Sequence, residues 1–207
     1  MLKAVREYLS FAGAQYRNPD KAGDEREKML DLRQKGQEAR KSFTELAKTF
    51  QASHPEWQLQ QTSQWMNQAQ RLRPHFWAYL QREGEVTEPM LALRLYGSPS
   101  DFGVSLEVSF MERKKNERTL CKQAKVLEVP VVDGIYYLAY SNGESQKMEA
   151  TEENRQILRE KLSHQEVRKV LVKVDVSVAD GQILDKFLDE LDKAFEKLLP
   201  YYQATRN

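Results

Sequence analysis

The stretch from Trp57 to Arg82 contains no aspartate or glutamate in 26 residues, although acidic side chains make up 31 of the 207. It holds all three tryptophans of the chain, Trp57, Trp65 and Trp77, with Tyr79, seven glutamines including Gln61, Gln64 and Gln68, and the arginines Arg71, Arg73 and Arg82. These are side chains suited to unpaired bases. Aromatic faces stack on them, amides bond base edges in pairs, and guanidinium groups bind phosphate or guanine. The same composition has a structural alternative, in which the tryptophans anchor a core and the glutamines coat a polar helix, because large aromatics are usually buried.

A second basic segment runs from Met111 to Val126. Arg113, Lys114, Lys115, Arg118, Lys122 and Lys125 stand against Glu112 and Glu117, six against two, a net +4. A helix of this charge attracts a phosphate backbone; equally, a run of charge can be a solvated face. The two segments form one interface only where the fold brings them to one surface.

Other chemistries have a thinner basis. Pro99-Ser100-Asp101 and Glu112-Arg113-Lys114 have the outline of a PD-(D/E)xK metal site, which would make the protein a metal-dependent nuclease. The residues between them alternate as one strand, and 11 steps at about 3.3 Å would separate Asp101 from Glu112 by roughly 36 Å, too far to share an ion. Cys121 has Arg118, Lys122 and Lys125 at helical offsets that would favour a thiolate, but no base accompanies it. His54, His75 and His164 show no ligand or triad spacing, and the nine glycines form no phosphate loop. No metal, catalytic set or cofactor is expected.

The elements that must position these residues follow from periodicity. Leu2, Val5, Leu9, Ala12 and Tyr16 predict a short amphipathic helix, broken by Asn18-Pro19-Asp20. Asp24 and Glu27 have capping-box spacing for a second helix, whose stripe Met29, Leu32, Gly36, Ala39, Phe43, Leu46 and Phe50 alternates steps of three and four. That seam demands another helix, either in the same chain or in a second copy pairing through helix 24–52. Phe76, Ala78 and Leu80 then alternate with His75, Trp77 and Tyr79. Leu91, Leu93 and Leu95, a Gly97–Asp101 turn, and Val104, Leu106, Val108 and Phe110 predict a hairpin with a leucine-rich core face and a wet face, on which Arg94 and Glu107 would pair.

Further on, residues 113–126 predict the basic helix, Ile135 to Tyr140 a strand, Asn142-Gly143 a tight turn, and Thr151 a capped helix ending near His164. Val170 to Val178 alternate as a strand, and Asp180 is placed to cap a last helix running to Pro200, whose apolar stripe would seal one face of the sheet. Together these predict an α+β fold: long N-terminal amphipathic helices, a central, mostly antiparallel sheet of about five strands, and a C-terminal helix packed on the sheet. Residues 1–55 form an N-terminal helical segment and 56–207 the α+β core of one compact domain.

Composition narrows the classes. With 40% hydrophobic and 30% charged residues the chain can fill a core under a hydrated surface, which excludes disordered and fibrous classes. Its 32 basic and 31 acidic side chains nearly cancel, so attraction to an anionic polymer must be local. One cysteine excludes an internal disulfide; with no apolar leader or membrane-length run, a cytoplasmic protein without membrane contact is expected. The leading expectation is a nucleic-acid-binding or accessory protein for single-stranded or structured RNA or DNA. The segment from Trp57 to Arg82 would read bases, and Arg113, Lys114, Lys115, Arg118 and Lys122 would hold phosphates. The competing expectation is a non-catalytic interaction or homodimerisation module built on the 24–52 helix.

Overall fold

The computed structural model describes residues 2–206. In chain order the elements are α1 (Lys3–Leu9), α2 (Arg26–Ala52), β1 (Gln58–Leu59), β2 (Trp77–Gln81), β3 (Met90–Ser98), β4 (Asp101–Ser109), α3 (Glu117–Ala124), β5 (Tyr136–Ser141), β6 (Glu144–Glu149), α4 (Glu152–Ser163), β7 (Lys169–Ser177) and α5 (Leu184–Ala204). The strands pair antiparallel in one seven-stranded sheet of order β1-β2-β3-β4-β7-β5-β6. The fold is α+β, with two strands more than the periodicity predicts. β1 is too short to carry a period, and β6 has one apolar residue, Met148, so its pairing follows from the hairpin turn at Asn142-Gly143, where both residues have positive φ.

One face of the sheet is apolar. Leu91, Leu93 and Leu95 of β3, Val104, Leu106 and Val108 of β4, and Val170, Val172, Val174 and Val176 of β7 are buried there in a contiguous core with side chains of α2, α4 and α5. The α2 seam is buried from Met29 to Phe50 as its spacing predicts, but its partners belong to the same chain. Trp65 lies on Gly36, Phe76 stands 5.8 Å from Phe43, and Phe195 is 6.0 Å from Phe50, ring centre to ring centre. A homodimer through helix 24–52 therefore has no apolar stripe left to use.

Gly36 is the point of closest approach. A methyl group there would sit 2.5 Å from Cε3 of Trp65, whose ring is also pinned by the edge of Tyr16, 5.0 Å away. Alanine would gain about 1 kcal/mol in helix propensity, against about 1–3 kcal/mol for overpacking a tight core. Gly36→Ala should thus lower the urea midpoint of unfolding; a raised midpoint would mean that Trp65 gives way freely.

Helix ends differ from expectation where tertiary contacts compete. α1 stops at Leu9, because Gly13 and Tyr16 bond instead through their amides to the carbonyls of Leu72 and Gln70. No side chain caps α2, which grows out of a tight turn at Gly23–Glu25. Asp180 caps nothing: it pairs with Arg6 at 2.6 Å, and α5 begins at Leu184 and continues through Pro200. The basic segment becomes helical only at Glu117, where Asn116 and Thr119 form a reciprocal cap. Arg113 and Lys114 lie in the separate single turn before it. Among the described residues, no helix is long and apolar enough to cross a membrane.

Candidate functional site

The sheet's other face is polar and aromatic. The registers set Trp77 and Tyr79 of β2 beside Ala92, Arg94 and Tyr96 of β3, then Gly103, Ser105 and Glu107 of β4, then Lys173, Asp175 and Ser177 of β7, with Tyr136 of β5 opposite Lys173. Gly103 leaves room for the Tyr96 ring to lie across β4 and bring its hydroxyl 3.2 Å from Ser177 Oγ; a methyl on Gly103 would meet that hydroxyl at 2.5 Å.

Glu107 occupies the centre and is fully buried, so the expected wet face is largely closed here. Arg94 Nε donates to Glu107 Oε1 at 2.9 Å, the cross-strand pair that the sequence predicts, and Lys173 Nζ stands 3.0 Å from Oε2. Burial alone would raise the carboxyl pKa, but the two cations outweigh it and hold Glu107 down to about 2. The flanking aromatic rings carry cations in the same way. Trp77 lies under Arg73 at 4.8 Å and Arg94 at 5.3 Å, Tyr136 under Lys147 at 3.8 Å, and Tyr140 under Lys169 at 4.1 Å. The Tyr136 hydroxyl donates to Asp175 Oδ1 at 2.8 Å. Glu112, just beyond β4, pairs with Arg168 and Lys169, and these cations offset its burial and hold its carboxyl at about 2.

His75 enters this face at the start of β2, its ring 5.6 Å from that of Trp77. Burial, then the charges of Arg94 and Arg73, push its pKa down to about 4, so at neutral pH it is an uncharged ring in a positive field. Burial and the nearby charge of Arg113 also lower the pKa of Arg73. Neither Arg73, Arg113 nor Lys114 has a carboxylate partner among the described residues.

This geometry divides the sequence-predicted residues. Arg73, Trp77 and Arg113 come together at the β2 side of the polar face, although Arg113 is 40 positions from Arg73. Trp57 and Trp65 do not join them. Trp57 is 1% exposed, packed on Phe195 and Tyr202, and Trp65 is sealed against Gly36, so both are core anchors. Tyr79 lies on the polar face but is buried, its hydroxyl donating to the Phe110 carbonyl. Gln61, Gln64 and Gln68 are exposed on the segment that wraps the α2 side, and Arg71 bonds the Gly13 carbonyl there.

Arg82 is at the far end of β2 from Trp77, near Tyr202. Arg118 and Lys122 converge with Arg206 on the single carboxylate of Glu88, and Lys115 pairs with Glu112, so these cations are engaged in ion pairs within the chain and stand apart from Trp77. Asp101 opens β4 and Glu112 lies just beyond its other end, and no cluster of three or more His, Cys, Asp or Glu side chains among the described residues could hold a metal ion. Sequence reasoning overlooked His75, Tyr96, Tyr136, Tyr140, Lys147, Lys169, Lys173 and Asp175 as a group. The signal was present in the alternation of Lys169, Lys173 and Asp175 with the β7 valines. No protein-family model and no curated protein matches the chain.

Proposed function

We propose that the protein binds single-stranded nucleic acid, RNA or DNA, at the β2 side of the polar face, with Trp77 as the stacking surface and Arg73, Arg113 and Lys114 meeting phosphates. The observation that carries this reading is the setting of Trp77. It is the one tryptophan that is not buried, and it has two guanidinium groups close to its ring, of which Arg73, like the neighbouring Arg113, has no carboxylate partner among the described residues. An aromatic ring next to unpaired arginines on a sheet face suits splayed bases better than a rigid duplex. The near-neutral net charge agrees with a local mode of attraction.

Because Trp57 and Trp65 are buried, quenching of tryptophan fluorescence by oligo(U) or oligo(dT) reports on Trp77. Engaging about three phosphates should weaken binding roughly twentyfold between 50 and 200 mM salt. Trp77→Phe should remove the quench, and Arg73→Glu with Arg113→Glu should abolish binding while the far-ultraviolet circular dichroism stays unchanged. Affinity that survives both the charge reversal and the salt would place the ligand elsewhere.

A further inference from the structure

β7 lies inside the sheet, yet half of one edge is bare. Its ladder to β5 runs from Lys169 to Lys173 and ends at the Tyr136 pair, while its ladder to β4 continues to Ser177. The amide of Val178 donates to the Phe102 carbonyl, so by alternation Val174 and Val176 bond toward β4, and Asp175 and Ser177 turn N–H and C=O to the vacated side. No backbone partner takes those groups among the described residues. A cavity of about 230 Å³ opens along this edge, lined by residues Val174 to Ser177 and by Glu190, Lys193, Ala194 and Lys197 of α5.

The charges facing the cavity are not balanced. Asp175 is compensated by the Tyr136 hydroxyl and by Lys147 at 3.3 Å, whereas Glu190 accepts only from the neutral amide of Gln182 at 3.2 Å, which leaves one uncompensated carboxylate against the two lysines. Lys193 and Lys197 have no acidic partner among the described residues. We infer that this slot receives an extended acidic peptide segment of another protein, added as a strand in the line β5 would have followed. Its backbone bonds Asp175 and Ser177, and its acidic side chains, at alternate positions turned toward α5, meet Lys193 and Lys197. Exposed edges are normally blocked by charge, bulge or cover, and a short bare edge beside two lysines without acidic partners is how strand addition combines backbone affinity with side-chain selection. The four residues of the edge give the added strand about 13 Å of pairing. This site is separate from the proposed nucleic-acid surface and does not depend on it.

The test uses the full chain and a fluorescein-labelled peptide alternating glutamate and valine. It is compared with a copy N-methylated at alternate amides, which keeps the charge but cannot pair, and with a copy carrying lysine for glutamate. The acidic peptide should raise anisotropy saturably and slow hydrogen exchange of the Asp175 and Ser177 amides. The methylated and lysine copies, and the variant Lys193→Glu with Lys197→Glu, should each weaken binding at least tenfold. Equal binding of the methylated peptide, no saturable binding of the acidic one, or unprotected Asp175 and Ser177 amides in its complex would overturn the assignment. So would protection of those amides by concentration-dependent self-association without peptide, which would make a second copy the occupant.

Discussion

Glu107→Ala should destabilise the protein by about 3–5 kcal/mol, because it leaves Arg94 and Lys173 side by side in the middle of a sheet face with no carboxylate between them. Lys173 is almost wholly buried, so water cannot replace the lost partner. Against the 5–15 kcal/mol typical of a domain this is a large fraction, readable as a drop in the urea midpoint. The companion variant replaces the whole group, with Glu107→Leu, Arg94→Met and Lys173→Met. Apolar substitutes of similar volume for a buried ion network are often neutral or stabilising, so the triple variant should recover most of the loss. A single variant as stable as the wild type would show that the three charges are not coupled.

The second large effect is a loss of stability in mild acid. Unfolded, His75 takes up a proton near pH 6.5; folded, burial and then Arg94 and Arg73 delay this to about pH 4. Between those values the unfolded chain binds more protons, so stability falls as pH drops through the window, by roughly 3 kcal/mol at 1.36 kcal/mol per pH unit. His75→Gln should remove most of this slope between pH 7 and pH 4.5. The carboxylates Glu107 and Glu112, whose folded values are depressed to about 2, withdraw their contribution only below about pH 4.5, so the two windows separate. A His75→Gln variant with an unchanged slope would assign the acid sensitivity to other groups.

The fold was legible wherever one face of an element had to be buried. The α2 seam, the β3–β4 alternation and the valines of β7 are each specified locally, and the Arg94–Glu107 pair follows from facing positions on neighbouring strands. The site was legible only in part. Aromatic and basic composition selected Trp57 and Trp65 along with Trp77, because composition carries no phase; only the alternation of β2 and the wrap of residues 60–73 decide which ring faces outward. The basic character of 113–126 was likewise real but divided, since Glu88 collects Arg118 and Lys122 while Arg113 is left beside Arg73. That division, like the pairing of β4 with β7, is made by contacts between segments too distant in sequence for local pattern to reveal.

That pairing also governs when the molecule can first exist. The last strand to be made, β7, lies between β4 and β5, so the sheet has no centre until residue 177 has been synthesised. While the chain is still growing, β4 carries an unpaired edge and an uncovered row of valine and leucine side chains, and α5, which closes that row, is made later still. Long-range strand pairing of this kind is slow and leaves sticky intermediates. Until β7 emerges, the strands before it therefore wait without their partner, and the polar, charged β6 at one outer edge discourages neighbouring nascent chains from adding to the sheet.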